Sequence, residues 1–183
     1  MPRISKTRVT TQEFLELAET RLPTELISGE VIVKPIPNLI HQRLVFRAAH
    51  YLQMLVQTGD IFVAPVDIVF DVDNVLQPDV FWVAPDSQCE PVEDRYFHGS
   101  PDLVIEILSP TTARRDRDVK FVLYEKYGAR EYWLVDPDAR FVEVYRRNDD
   151  RLIRLGFFGQ GEKFTSPVLE NSTLDVDTLF YGT

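Results

Sequence analysis

The chain has 183 residues, a formal net charge of −9 and one cysteine, Cys89. That length suffices for one domain with a sizeable core. The composition excludes an intramolecular disulfide and argues against a protein that coats nucleic acid with its whole surface, while leaving room for a local basic patch.

The opening "MPRISKTRVTTQ" lacks the apolar stretch of a signal peptide, and no apolar run approaches the length of a membrane span. Together with the single cysteine this predicts a cytoplasmic protein with no membrane partner. No repeat, low-complexity segment or long linker interrupts the chain, so residues 1–183 read as a single domain.

A short helix is expected to begin near Thr10, because Thr10 and Glu13 stand at capping-box spacing. "ELISGEVIVKP" reads as a hairpin turning at Ser28-Gly29. "NLIHQRLVFRAAHYLQMLVQTG" comes next, with Asn38 placed to cap a helix and Gly59 just past its end. Ile40, Leu44, Val45, Ala48, Leu52 and Leu55 recur at helical spacing and define its apolar face. "IFVAPVDIVF" and "VLQPDVFWVA" read as two strands flanking a "DVDN" turn. Residues 85–100 read as a loop leading to the strand "PDLVIEILSP". "SPTTARRDR" reads as a loop or the start of a helix, and "DRDVKFVLYEKYG" as a helix stopping before Gly128. "REYWLVDP" is a strand stopped by Pro137, with "FVEVYRR" and "RLIRLGFF" pairing beside it as a meander. The core order αβββαβ predicts an α/β (α+β) fold: a mixed β-sheet flanked by helices. To it are added an N-terminal helix and hairpin and the C-terminal meander.

Glu106 sits in the middle of the apolar run formed by Leu103, Val104, Ile105, Ile107 and Leu108. An ionised carboxylate buried there costs several kcal/mol after relaxation, on the order of a small domain's whole stability. Asp79 is the second anomaly, since aspartate is depleted in strands and Pro78 removes a ladder donor beside it. Each has a plain structural reading: Asp79 at a frayed edge, Glu106 paired with an arginine. Two carboxylates on successive strands point further, because Mg²⁺ is commonly held by one or two carboxylates together with waters and phosphates. Lys120 shares a helical stripe with Asp116, Tyr124 and Tyr127, at the border of an apolar face formed by Val119, Val122 and Leu123. Its plain reading is a surface lysine paired with Asp116; Lys126 is a weaker candidate for the same role.

The ordered set "ELISGE", "HQR", "APVDIVF", "QPDV", "VIEILSP", a "DxxxK" helix and "EYWLVDP" resembles the Uma-type family of putative restriction endonucleases, within the PD-(D/E)XK nuclease-like superfamily. The resemblance runs from about Thr10 to Tyr145 and implies a restriction-endonuclease-like core and a Mg²⁺-dependent (or Mn²⁺-dependent) endonuclease. It assigns Asp79 and Glu106 as metal ligands and Lys120 as the catalytic lysine. It assigns Glu30 to orient a metal-bound water or the lysine, and Gln77 to line the site. The superfamily's usual lysine position, two residues after the glutamate, is Leu108 here. The resemblance implies nucleic acid as partner, DNA foremost, and admits a homodimer. His41, in "HQR", is expected near the substrate, and Arg114, Arg115 and Arg117 are positioned to grip phosphates; their plain reading is a solvated loop.

Other chemistries find little support. His41 and His50 lie nearly opposite on one helix, so they do not form a zinc pair. There is no glycine-rich phosphate loop, Ser109 lacks a His-Asp partner set, and Cys89 has no evident activating neighbour. Two classes of function therefore remain. The first is a metal-dependent nuclease; the second is a catalytically silent interaction or nucleic-acid-binding protein that keeps the nuclease fold.

Overall fold

The computed structural model describes residues 8–17 and 23–181. Chain order begins with α1 (Thr11–Glu16), β1 (Thr24–Ile27), β2 (Glu30–Val33), α2 (Leu39–Leu55) and β3 (Asp60–Val63). β4 (Ile68–Asp71), β5 (Asn74–Leu76), β6 (Val80–Val83), β7 (Glu90–Val92), β8 (Tyr96–His98) and β9 (Leu103–Ile107) come after. A helical rod is next: α3 (Ala113–Arg115), a π turn (Asp116–Lys120) and α4 (Phe121–Tyr127). The chain closes with β10 (Glu131–Asp136), β11 (Phe141–Asn148), β12 (Arg151–Phe158), β13 (Lys163–Ser166), β14 (Ser172–Asp175) and α5 (Val176–Tyr181).

Local chemistry sets the helix starts. The Thr10–Glu13 capping box forms in both directions. Asn38 caps α2 by accepting from the His41 backbone N–H at 2.8 Å. Leu44, Val45, Ala48 and Leu52 of α2 are buried, whereas Ile40, in the first turn beside the cleft-lining His41 and Gln42, is 53% exposed. α2 stops at Leu55, four residues before Gly59. Gly59 is required by the approach of another strand: its φ is +79°, and a Cβ there would stand 2.4 Å from the Val83 carbonyl oxygen. Gly128 (φ +99°) closes α4 in open space.

Strands β12-β11-β10-β9-β6-β3 form the central sheet, mixed because β10 runs parallel to β9 while the other neighbours are antiparallel. The helical rod is the crossover that joins β9 to β10 on the same side of the sheet as Glu106. A second sheet, β2-β1-β5-β4-β8-β7, curls over that side. Alternation splits the central strands between two cores. Val80, Trp82, Leu103, Ile105, Ile107, Trp133 and Val135 pack with α2, α5 and the β13–β14 hairpin. Phe81, Val83, Val104, Leu108, Tyr132 and Leu134 pack with α4 and the second sheet.

Three expectations change in detail. "IFVAPVDIVF" is two strands, β3 and β4, in different sheets, parted around Pro65, whose peptide with Ala64 is cis. "VLQPDVFWVA" likewise divides into β5 and β6 at Gln77-Pro78-Asp79, so one stretch of chain passes from sheet to sheet. Residues 85–100 contain the β7–β8 hairpin, whose strand Glu90–Val92 carries a proline and no apolar alternation that would reveal it. Among the described residues no helix is long and apolar enough to cross a membrane.

The glycine geometry yields a paired test. Gly59→Ala and Gly128→Ala both force alanine into the left-handed region, costing about 1–2 kcal/mol. Only Gly59→Ala also meets a backbone carbonyl. Chemical denaturation should show Gly59→Ala clearly less stable than Gly128→Ala; equal losses would mean the Gly59–Val83 approach carries no constraint.

Candidate active site

The irregularity at Pro78 and the π turn bring the polar residues together. Val80 pairs with Ile105 across β6 and β9, so the ladder extended by one residue sets Asp79 opposite Glu106, both on the side facing α4. Asp79 completes that extension with its side chain: Oδ2 accepts from the Ile107 backbone N–H at 2.8 Å. Asp79 is therefore buried, not frayed. Glu106, 2% exposed, is paired with a lysine rather than an arginine: Lys120 Nζ lies 2.9 Å from its Oε1. Tyr124 donates its hydroxyl to the same oxygen at 3.2 Å.

Lys120 is not at a helix border. It is 2% exposed and occupies the centre of the buried stripe with Asp116, Leu123 and Tyr124, whereas Val119 and Val122 face solvent. The π turn at Asp116–Lys120 is the local cause, since it widens the helix by a residue and re-aims the side chains beyond it. Tyr132 from β10 anchors that turn by donating to the Asp116 carbonyl at 2.9 Å. Lys120 Nζ also lies 2.9 Å from Glu25 Oε1 and 3.3 Å from Asp116 Oδ1. Leu108 points to the same side of the sheet as Glu106 and is packed in the core, so the ammonium comes from the helix instead.

Glu25 is the residue the sequence reading misplaced. Glu30 stands exposed at the hairpin tip, opposite Ile27, about one pleat repeat (~7 Å) along the strand from Glu25. The carboxylate that reaches Lys120 comes from Glu25 of β1, which is fully buried. A glutamate inside an otherwise apolar hairpin strand was the available signal. Lys34 was also missed: its Nζ lies 2.7 Å from the Gln77 carbonyl oxygen and 3.5 Å from Asp79 Oδ1. Gln77 frames the site with its backbone only, because its side chain turns away to donate to Asp67 at 2.8 Å.

The remaining candidates separate. His41 Nε2 lies 3.4 Å from Asp79 Oδ1, at the cleft wall. Arg115 faces the cleft, with Nη1 3.9 Å from Glu25 Oε2. Arg114 points to solvent beside Asp118, and Arg117 pairs with Glu143 on another side of the rod. Three consecutive-looking arginines thus diverge because helical geometry fans them around the axis. His50 is exposed and stacks on Phe46, and Cys89 is buried with its thiol pushed up to about 12 by burial. The cleft itself holds about 450 Å³ and is lined by Glu25, Lys34, His41, Asp79, Glu106, Arg115, Asp116 and Lys120 among others.

Charges here are strongly conditioned. Burial raises Glu106; Lys120 opposes the rise, Asp116 and Asp79 add to it, and the carboxyl reaches about 8. Burial also works against the charge on Asp79, but the His41 hydrogen bond and the Lys34 ammonium outweigh it and hold its carboxyl at about 2. Glu25 resolves the same contest downward, through Lys120 and Lys34. Burial raises Asp116. It disfavours charge on Lys120, yet Glu106, Glu25 and Asp116 hold the ammonium well above its ordinary value.

As a place for a hard cation, the donor chemistry fits. The cleft presents carboxylates from β1, the β5–β6 junction, β9 and the π turn, and two buried carboxylate oxygens, Glu25 Oε2 and Asp116 Oδ1, make no hydrogen bond, only ion-pair contacts to Arg115 at 3.9 Å and Lys120 at 3.3 Å. Among the described residues no three acidic or histidine side chains stand as a ready-made metal-ligand group. Mg²⁺ sites need only one or two carboxylates.

The mixed sheet, its crossover helix and the carboxylate–lysine cluster define a protein of the restriction-endonuclease-like class. The chain belongs to the Uma2 family, described as putative restriction endonuclease, whose model matches residues 11–177. It is similar to a crystal structure of a putative nuclease belonging to DUF820 from Anabaena variabilis: TM-score 0.78, 25% identity, covering 94% of this chain and 97% of that one. Two uncharacterized proteins of Synechocystis are also similar. One is 28% identical over 150 residues, spanning 78% of this chain and 83% of its own. The other is 26% identical over 150 residues, spanning 78% and 76%. Family and structural neighbour alike support a nuclease.

The cluster predicts two unlike responses to mutation. Lys120→Met removes the ammonium shared by Glu25, Glu106 and Asp116 and leaves Glu25 only its longer contacts to Lys34 and Arg115, a loss of about 3–5 kcal/mol. Glu106→Gln retains an acceptor for Lys120 and Tyr124 and should stay near wild-type stability at neutral pH. With the Glu106 carboxyl raised from 4.5 to about 8, the folded state binds the extra proton between those values, so its contribution is fully present below 4.5 and is lost as pH rises through about 8. Denaturation at several pH values should show a decline across that window in wild type, flattened in Glu106→Gln. A variant as pH-dependent as wild type would place the titration elsewhere.

Proposed function

We propose that this protein is a metal-dependent endonuclease that hydrolyses nucleic-acid phosphodiester bonds, DNA foremost, with Mg²⁺ or Mn²⁺ as the ion. The observation that carries the reading is the convergence of Asp79, Glu106 and Lys120 on one cleft from three separate elements. Asp79 and Glu106 are the residues that would hold the ion. When bound, a divalent ion neutralises phosphoryl oxygen charge and lowers the pKa of water.

The chain's own residues supply the rest. The raised Glu106 carboxyl is a group whose protonation changes near neutral pH, and a cation beside it draws it to the ionised form. Lys120, fixed by Glu25 and Asp116, keeps its proton and presents a positive charge where negative charge develops on the phosphate. His41 holds Asp79 in place by its contact with Oδ1. Arg115 is the arginine placed to bind a substrate phosphate. Hydrolysis adds water across the P–O bond and leaves two strand ends.

Incubation with DNA and Mg²⁺ or Mn²⁺ tests this. Cleavage is expected in wild type, lost in Asp79→Ala and lowered about 10²–10³-fold in Lys120→Met. Arg115→Ala should weaken substrate binding, whereas Arg114→Ala should not. Cleavage that survives both Asp79→Ala and Lys120→Met would place the activity elsewhere. One observation favours a catalytically silent protein: Lys120 is already enclosed by three carboxylates. Under that reading folded protein that binds the ion cuts no DNA or RNA.

Ion binding alone has its own signature. At roughly ten times the dissociation constant, an ion that binds only the folded state stabilises it by about 1.4 kcal/mol. For this size of domain that is a rise of about 3–6 °C in melting temperature, expected in wild type and absent in Glu106→Gln. A wild type indifferent to both ions would remove the metal from the account.

A further inference from the structure

The cleft contains a second, half-buried ammonium that the proposed hydrolysis does not use. Lys34 directly succeeds β2, and its backbone N–H donates to the Pro23 carbonyl at 2.8 Å. Its side chain, 12% exposed, turns back into the cleft. There Nζ lies 2.7 Å from the Gln77 carbonyl oxygen, 3.5 Å from Asp79 Oδ1 and 3.9 Å from Glu25 Oε1. Glu25 Oε1 therefore stands between two ammonium groups, with Lys120 at 2.9 Å on its other side.

Two carboxylates and a backbone carbonyl, contributed by β1 and the β5–β6 junction, are hard oxygen donors of the kind a divalent cation takes. Here they surround a side-chain cation instead. We propose that Lys34 is a built-in cation standing in place of a second divalent ion, so that the site takes one Mg²⁺ or Mn²⁺. The proposal rests on the metal-dependent nuclease reading.

Packing supports it, because the Lys34 ammonium already occupies the space among the oxygens of Glu25, Asp79 and Gln77 that a second cation would need. A tethered ammonium also stays in place whatever the metal concentration.

Counting bound Mn²⁺ by equilibrium dialysis, with free ion read by electron paramagnetic resonance, tests the proposal without reference to cleavage. Wild type should bind one ion per chain. Lys34→Met should bind two, since the freed oxygens of Glu25, Asp79 and Gln77 lose their cation, and Lys34→Arg should return to one. Lys34→Gln replaces the methionine variant if circular dichroism shows the latter unfolded. Two ions on wild type, or a single ion on a folded, charge-neutral Lys34 variant, would overturn the proposal. No ion on wild type would overturn the metal-dependent reading beneath it.

Discussion

An ammonium group sealed among carboxylates organises this protein. Lys120 touches Glu25 from the N-terminal hairpin, Glu106 from the central sheet and Asp116 from its own helix. These contacts tie the second sheet to the first at the point where the chain crosses between them. Buried pairs seldom add net stability over a hydrophobic replacement, but breaking one is costly. Such a cluster therefore fixes geometry more than it adds stability. The π turn belongs to the same constraint, because it aims Lys120 inward and is pinned by Tyr132. Burial, with Asp116 and Asp79 beside it, holds Glu106 up at about 8 against the pull of Lys120. Under the proposed function this is the carboxyl that a bound divalent ion would ionise.

Much of this was legible in the sequence where a residue broke the rule of its surroundings. Glu106 in an apolar strand and Asp79 after Pro78 stood out because burial and strand chemistry make both unfavourable. Asn38, the Thr10–Glu13 pair and the spacing of Leu44, Val45, Ala48 and Leu52 gave their helix starts and faces through purely local physics. Lys120, Asp116 and Tyr124 were recognisable as one stripe, but its depth was not, because burial depends on what packs above it.

The illegible parts are long-range. Glu25 and Glu30 flank the same turn, and only the register of the hairpin against β5 decides which enters the cleft. Lys34 reads as an ordinary basic residue after a strand; two of its partners, Gln77 and Asp79, lie more than forty residues along the chain. The arginines of "ARRDR" look like one patch on paper and diverge on the rod, so only Arg115 remains with the cleft. The breaks at Pro65 and Pro78 were visible as prolines, whereas the passage of each stretch into a different sheet was set by tertiary pairing.

The proposed metal-dependent nuclease makes a specific demand on its central carboxylate: under that proposal Glu106 loses its proton when a cation arrives and regains it when the cation leaves. Carboxyl ¹³C NMR of Glu106, titrated with and without Mg²⁺, reads this directly. The account predicts a Glu106 titration raised toward about 8 in ion-free protein, falling well below neutrality with the ion. An ordinary carboxylate titration, or one unmoved by Mg²⁺, would contradict it.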